Sequence, residues 1–583
     1  MSNSIKKRDG VEPVEERFVT DINTAAMNED RISEVAGLPA GTDVLIVGFG
    51  PVGATLANFL GRYGINTVVI DSAPDMLNMP RAIGMDHEGL RILQQAGLEE
   101  GDFEVLGINK MHMISPYLGK YITFNAAGAI DGHARQVMYY QPDLEKALRH
   151  RLQAHTSVKT FASTELLTLE DQGDKVVAGI RQADGREVSL TAKYVIGADG
   201  ANSAVRRFIG QDFKGQSYAE DWLIVDVKNS PWKLRDVDFY CGPGKPGPHI
   251  PTVGNRQRWE FMLGKNDDAE SILKEEKIHE LLAPWARPEE IEIERKAVYR
   301  FHARSCDNYS VGRVFLAGDA AHITPPFIGQ GLVSGMRDAV NLCWKLAWVL
   351  KGHADPGILP SYDIERRPHA KHMINLARFL GYWIMPQSPL RAFLIHGTVR
   401  LLRFIPPVRQ YLDEAKIKPF HVFKKGLFRS DTRTRNLRNK KFYPGSLFPQ
   451  SWVRTAGKDI LLSDDVLGDH FSIVGFGVDP RTCLDERTIS EWRAIGGNFV
   501  QIARRSQYLD RADDAIEDLT GELVPGAAPD GWVAVVRPDK TVLHEGPLKD
   551  VKRLIRESRE VLGLSSPHEV SIPLTAANAG SHS

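Results

Sequence analysis

The sequence predicts an α/β protein that opens with a Rossmann-like, dinucleotide-binding (GxGxxG) domain, and three observations carry that prediction. Residues 43–71, "DVLIVGFGPVGATLANFLGRYGINTVVID", read as strand, glycine turn, helix and strand, the βαβ start of a doubly wound sheet. Far down the chain, "GRVFLAGDAAHITPPFIGQGLVSGMRDAVNLCWKLA" repeats the strand-turn-helix order. Between them, at about 216–300, short alternating segments such as "WLIVDVKN", "DVDFYC" and "RWEFML" stand between Pro/Gly clusters and suit an inserted antiparallel sheet.

Bulk properties narrow the function classes. At 583 residues the chain exceeds what one core supports, so several domains are expected. With 42% apolar and 25% charged residues and a formal net charge of -1, the composition is ordinary globular and offers no electrostatic case for a nucleic-acid partner. Cys241, Cys306, Cys343 and Cys483 lack CxxC or metal-ligand spacing, which points to reduced, packing thiols and a cytoplasmic setting. No metal cluster of His, Cys and carboxylates is legible. No apolar region follows the basic start "MSNSIKKRDG", and no run reaches the length of a membrane span.

Taken in order, residues 1–40 read as a polar arm with a short amphipathic piece, "RISEVAGL". Residues 41–215 and 296–415 form the dinucleotide-binding domain, interrupted by the sheet insertion at 216–295. From Ser361 to about Leu412 the pattern is helical, broken at Pro386, Pro389, Pro406 and Pro407; its cationic apolar face suits packing, a dimer surface or a membrane surface. Residues 416–583 form a last unit, with strands at "HFSIVGFG", "NFVQIARR", "WVAVVRPD" and "TVLHEG" and a helix near "LKDVKRLIRES". That order suits a thioredoxin-like layer, here without CxxC.

The fingerprint has a definite chemistry. Gly48 allows the tight turn, Gly50 lets backbone approach a pyrophosphate, Gly53 lets helix and strand pack closely, and Pro51 opens the helix whose N-terminus faces the anion. Asp71 closes the next strand, where a carboxylate accepts ribose hydroxyls and repels a 2′-phosphate, leaving NAD and FAD open. In the second motif a strand ends at Gly318-Asp319, Pro325 and Pro326 stiffen the connection, and Gly329-Gln330-Gly331 open a helix. Asp319 suits a ribityl hydroxyl, and the positive helix end at Gly331 suits the N1–C2=O edge of a reduced flavin.

This second motif resembles that of the flavoprotein aromatic hydroxylases, the class A FAD monooxygenases. Their third motif is similar to "YVIGADGANSAVRR", with Asp199 and Gly200 backed by Ser203 and Arg206; "MPRAIGMDHEGLRIL" supplies a flavin-proximal arginine, Arg81, and "YYQPDLEKAL" a glutamine on the adenosine side, Gln141. The motifs stand in family order over about residues 43–350, and the C-terminal unit matches the phenol-hydroxylase branch. The resemblance is strongest to hydroxylases of phenolic acids such as 3-(3-hydroxyphenyl)propionate and 3-hydroxycinnamate. It implies bound FAD, NADH or NADPH as a transient reductant, O2, ortho-hydroxylation of a phenol, and a possible homodimer. Other phenols, resorcinol or a polyketide aromatic remain open as substrates, as does a non-catalytic flavin-binding sensor.

Chemistry of this kind needs a group that takes up the phenol proton. Asp86 is the candidate that the resemblance implies, because related phenol hydroxylases carry an aspartate five positions before the arginine of this segment, matching Asp86 and Arg91; the alternative is a helix N-cap or first-turn acid in "GMDHEGLRIL". His87 is a second candidate with the same alternative. Arg258, on one strand face with Arg256 and Glu260, suits a substrate carboxylate, and equally a row of ion pairs. His322 suits orientation of its loop. Pro326 and Gly329 are expected to wall the flavin through backbone atoms.

Overall fold

The computed structural model describes residues 37–264, 267–414, 418, 421–429, 442–506 and 515–564; the expected N-terminal arm lies, up to residue 36, outside them. The chain divides into two compact units, Met1–Ala347 with Tyr362–His421, and Trp348–Ser361 with Val422–Ser583.

The first unit is built on a parallel sheet. Gly41–Val47, Thr67–Ile70, Val158–Phe161, Glu187–Gly197 and Val314–Leu316 stand side by side in the spatial order third, second, first, fourth, fifth, all parallel. Val44, Leu45, Ile46, Val69, Ile70, Val195 and Ile196 are fully buried. Such unbroken apolar runs, covered on both faces, are what a parallel sheet requires. The fourth strand changes partners along its length. Its first half pairs antiparallel with Val176–Arg181, and only Val195–Gly197 reach the parallel fifth strand. The helix Pro51–Arg62 crosses between the first two strands with Pro51 in its first turn, where the missing N–H costs nothing.

A second, eight-stranded sheet is almost wholly antiparallel. Its order is His322–Ile323, Glu292–Ser305, Lys214–Lys228, Arg256–Met262, Gly247–Thr252, Val237–Tyr240, Lys110–Ser115, Gly119–Asn125. It is wider than the expected insertion at 216–295. The hairpin at 110–125 joins through a parallel pairing of Lys110–Ser115 with Val237–Tyr240, a long-range contact that alternation within either segment does not reveal. Alternation sorts its faces. Trp259 and Phe261 join Leu223, Val225, Ile278 and Leu282 in one apolar cluster, which seats the helix Glu275–Leu282 against the sheet. Arg258 and Glu260 therefore point the other way.

The helical region resolves into Ser361–Ile384, Pro389–Leu402 and Pro406–Asp413, the last two each opening on proline. Among the described residues no helix is long and apolar enough to cross a membrane.

The second unit holds a seven-stranded sheet, in the order Ile460–Leu462, Trp452–Thr455, Ala515–Asp518, Gly497–Ala503, Phe471–Phe476, Trp532–Val536, Val542–Pro547. Phe471–Phe476 and Gly497–Ala503 are parallel and joined through the helix Glu486–Ala494, while the last two strands form an antiparallel hairpin followed by the helix Val551–Val561. Phe442, Phe448, Phe476, Val500, Ile502 and Val536 belong to its core.

Trp259 is 1% exposed and stacks on the His249 ring at 4.0 Å between centroids. Trp259→Ala should cost about 3–5 kcal/mol, seen as a lower denaturation midpoint of the first unit.

Candidate active site

The strand order reverses between the first and fourth parallel strands, and a crevice opens outside their carboxyl ends, where open α/β sheets take their ligands. Gly48 follows the first of these strands with φ +102°, and a Cβ there would lie 2.5 Å from the Ala198 carbonyl oxygen. A Cβ on Gly53 would lie 2.0 Å from the Gly48 oxygen. Both positions thus exclude any side chain, whereas Gly50 faces open space at the helix start. Asp71 ends the second strand, and its carboxylate accepts the Phe49 N–H at 2.6 Å and the Ala73 N–H at 2.8 Å, fixing the turn.

A cavity of about 700 Å³ runs from this turn to the second sheet. Gly48, Gly50, Pro51, Asp71, Arg81, Gln141, Asp199, Asp319, Pro326, Gly329 and Gly331, all expected cofactor contacts, line it. Gly53 and Gly318 do not: Gly53 closes on the Gly48 carbonyl, and Gly318, with φ +60°, bends the chain beneath the wall, its N–H donating to Asp338 at 2.9 Å. Asp338 also accepts from His322 at 2.7 Å and from Arg366 at 2.8 Å. Burial would raise this carboxyl, but His322 and Arg366 hold it below its ordinary value. His322 is thereby tied beneath the loop rather than turned into the cavity.

At the second sheet the wall turns apolar, with Met111, Val237, Phe239, Pro248 and Ile250; Met138, from the strand Gln136–Tyr139 of a small three-stranded sheet, and Pro326 and Phe327 line the cavity as well. Arg258 and Glu260 complete this end. Arg258 is fully engaged: it binds both oxygens of Asp226, at 2.7 and 2.9 Å, and donates to the carbonyls of Pro80 and Arg81. Burial would lower its pKa, and Asp226 raises it. An arginine so committed positions the Arg81 segment.

The structure does not bring Asp86 or His87 to the cavity wall. Asp86 caps the helix His87–Gln95, accepting the Gly89 N–H at 3.2 Å, and also accepts from Gln330 Nε2 at 3.0 Å and from Lys418. Glu88 beside it pairs with Arg337 and with Lys418 at 3.0 Å. Burial would raise both carboxyls, yet Lys418 and Arg337 hold Asp86 below, and Arg337 and Lys418 hold Glu88 well below, the ordinary range. The capping alternative accounts for Asp86, because a β-strand ending at residue 86 turns its side chain back onto the helix start. The pKa of His87 is lowered, chiefly by burial.

Wall residues outside the expected set include three polar ones that bear on the fingerprint turn and the second motif. Glu145 and Arg149 follow Gln141 at four-residue steps on the helix Gln141–Arg151, so all three share one face; Arg149 donates to the Phe49 carbonyl at 2.9 Å and to Glu145 at 2.8 Å. This i, i+4, i+8 polar stripe was the available signal. Gln141 itself accepts the N–H groups of Arg81 and Ala82, at 3.0 and 2.7 Å. Thr324, the third, shows no pattern in the sequence.

These features fit an FAD molecule. The helix N-terminus behind Gly48 and Gly50 can offer N–H groups to a pyrophosphate, the Asp71 carboxylate can accept ribose hydroxyls, and the helix Gly331–Leu350 starts on the same wall. Asp199 accepts the N–H groups of Ala204 and Val205 through Oδ2, while its buried Oδ1 has no hydrogen-bond partner among the described residues, an unsatisfied acceptor in a cavity-lining residue that a bound group can complete.

Comparison with known proteins agrees. The profile of the family described as "FAD binding domain" matches residues 41–377, and that described as "HcaD C-terminal domain" matches residues 445–561. A 3-(3-hydroxy-phenyl)propionate/3-hydroxycinnamic acid hydroxylase of Burkholderia cenocepacia is 36% identical over 515 residues, covering 86% of this chain and 93% of its own. A hydroxylase of the same name from Comamonas testosteroni is 32% identical over 571 residues, covering 89% and 97%. Among solved structures, the flavin-dependent monooxygenase PieE with FAD and substrate shares the fold at TM-score 0.73 and 20% identity, covering 90% of this chain and 99% of its own. Aklavinone-11 hydroxylase with FAD and aklavinone does so at TM-score 0.69 and 22% identity, covering 90% and 99%. The chain belongs to the FAD-dependent aromatic-ring hydroxylases. It is an oxidoreductase whose cofactor is FAD.

The Asp86–Glu88 cluster sets a pH dependence. Both carboxyls sit below their ordinary values of 3.8 and 4.5, so their contribution is present above that range and is lost as pH falls through the folded values. Asp86→Asn should lower stability at neutral pH by about 1–3 kcal/mol, and the gap to wild type should close on acidification below the ordinary carboxylate range, as thermal melts across pH will show.

Proposed function

We propose that this enzyme hydroxylates a phenolic acid of the 3-(3-hydroxyphenyl)propionate or 3-hydroxycinnamate kind ortho to its ring hydroxyl, with O2 and with NADH or NADPH as a transient reductant. The observation that carries the reading is the apolar end of the cavity, a ring-sized surface of Met111, Met138, Val237, Phe239, Pro248 and Ile250 continuous with the cofactor slot. The names of relatives at 36% and 32% identity, matched over nearly their whole length, support the phenolic-acid class over larger aromatics.

FAD, once reduced, supplies O2 activation and delivery of one oxygen atom to the ring. The residues of the chain supply the rest. Asp71 and Asp199 hold hydroxyls of the cofactor, Asp319 takes a ribityl hydroxyl, and the positive end of Gly331–Leu350 favours negative charge on the reduced ring. Pro326 and Gly329 shape the wall. Arg258 and Gln141 fix the backbone of Arg81 from opposite sides. The methionine and aromatic wall excludes water, which would otherwise consume the activated oxygen unproductively.

The eight-stranded sheet is read as the substrate-binding part of the first unit. The second unit is read as a thioredoxin-like layer without redox cysteines, since a parallel pair joined through a helix and then an antiparallel hairpin form its centre. A cytoplasmic homodimer completes the reading.

Purified enzyme should be yellow, and a panel of phenolic acids scored for hydroxylated product, not for NAD(P)H loss alone, should single out a hydroxyphenylpropionate or hydroxycinnamate. Product from none of them, with FAD bound, would overturn the substrate reading. Asp319→Ala should weaken FAD retention during gel filtration, read from the ratio of flavin to protein absorbance; an unchanged ratio removes its assigned role.

A further inference from the structure

The apolar end of the cavity carries an acidic side chain whose chemistry the preceding sections leave unused. Glu260 stands in the strand Arg256–Met262 on the face opposite Trp259 and Phe261, and it lines the cavity beside Pro248 and Ile250, at the apolar end. It is 8% exposed, and none of the described residues donates a hydrogen bond to its carboxylate. Burying a carboxyl without a partner is costly, and native structures rarely leave one so unless a ligand completes it.

Its neighbours make the contrast plain. Asp226, on the adjoining strand Lys214–Lys228, lies opposite Arg258 and receives Arg258 at 2.7 and 2.9 Å and Arg295 at 3.4 Å. Arg295 comes from Glu292–Ser305 and donates also to the Pro80 carbonyl and the Tyr299 hydroxyl. Arg258 is spent on Asp226 and on backbone, and Arg295 gives its terminal nitrogens to Asp226, Pro80 and Tyr299; neither bonds Glu260, so their charge reaches it only through space. From Lys214–Lys228 the residue opposite Glu260 is the apolar Ile224. Asp226, Arg258 and Arg295 are the charged groups that act on it.

On this geometry we infer that Glu260 is the catalytic base of the reaction, its carboxylate accepting the proton of the substrate's ring hydroxyl. This deepens the proposed hydroxylation and rests on it. The phenol O–H bond breaks and a carboxyl O–H bond forms on Glu260, while the electron pair stays on the phenol oxygen and enriches the ortho carbon. After that carbon has taken up oxygen it loses its hydrogen as a proton to water, and Glu260 returns its own proton to the phenol oxygen, so the residue ends as it began. Burial raises the Glu260 pKa despite the nearby Arg258, and a more basic carboxylate is the better acceptor for a phenolic proton.

The test uses FAD-loaded enzyme. Glu260→Gln keeps the shape and removes the base. It should slow hydroxylation about 10²-fold or more, raise NAD(P)H oxidation without product, and abolish the acidic limb of the hydroxylation pH profile; Glu260→Asp should keep that limb. A Gln variant with full flavin content, wild-type product yield and an unchanged limb would overturn the assignment. A second measurement needs no variant. Wild-type affinity for 3-(3-hydroxyphenyl)propionate is compared with that for 3-phenylpropionate, which lacks the ring hydroxyl, across pH. Preference for the hydroxylated ligand should fade on the acidic side as Glu260 takes up a proton, whereas a ratio independent of pH would overturn the proposal. If the ratio is flat while product still forms, Glu260 alone is wrong; if no phenolic acid is hydroxylated, the substrate reading fails and takes this proposal with it.

Discussion

The contact on which the first unit depends is the meeting of Gly48 with Ala198 where the parallel sheet reverses its order. The ends of two strands distant in sequence come so close that a Cβ on Gly48 would penetrate the Ala198 carbonyl, and the helix turn at Gly53 closes on Gly48 from the other side. Only backbone fits among the three. That absence of side chains lets a pyrophosphate reach N–H groups at the start of Pro51–Arg62, and the same approach sets Asp199, one residue past Ala198, on the same wall as Asp71. Cofactor geometry is thus a by-product of strand packing.

Charge is distributed around this contact according to one rule. Away from the cavity, buried carboxylates are saturated: Asp338 by His322, Arg366 and the Gly318 N–H, Asp226 by Arg258 and Arg295, Asp86 by Gln330, Lys418 and a helix start. An ion pair of this kind adds little net stability over an apolar core, but losing one partner strands a charge, so each network locks the segment that bears it. The locked segments lie in or directly behind the cavity wall: the bend at Gly318, the stretch Pro80–Arg81, and the loop before Gly331. On the wall itself, Asp199 Oδ1 and Glu260 lack such partners among the described residues. The wall is rigid from behind and chemically open in front.

How much of this was legible in the sequence depended on whether the signal was local. Gly48, Gly53 and Asp71 could be read because turn, helix start and strand end are set within a few residues; Pro389 and Pro406, read only as breaks in the helical pattern, are where two helices open. Asp86 shows the limit. Its place in "GMDHEGLRIL" fitted both a cap and a base, and what separates them is Lys418 and Gln330, hundreds of positions away, converging on the same carboxylate. Arg258 and Glu260 alternate correctly on one face, yet only the pairing of Asp226 with Arg258 reveals that one is occupied and the other is not. The hairpin at 110–125 escaped the sheet reading because its place depends on a parallel neighbour beyond residue 236.

The segment Pro80–Ala82 links these levels. Arg258 and Arg295, rising from the second sheet, grip the carbonyls of Pro80 and Arg81, while Gln141, from a helix of the first, takes the N–H groups of Arg81 and Ala82. A backbone held on both its donor and acceptor sides has no freedom to drift, so the Arg81 side chain projects into the cavity from a fixed root. The same grip binds the two sheets at the point where cofactor slot and apolar pocket join. A ligand that shifts the second sheet must therefore move Arg81 with it, and a cofactor that orders Arg81 must order the pocket. Cofactor slot and apolar pocket are thereby linked through two peptide groups, without any side chain having to span the cavity.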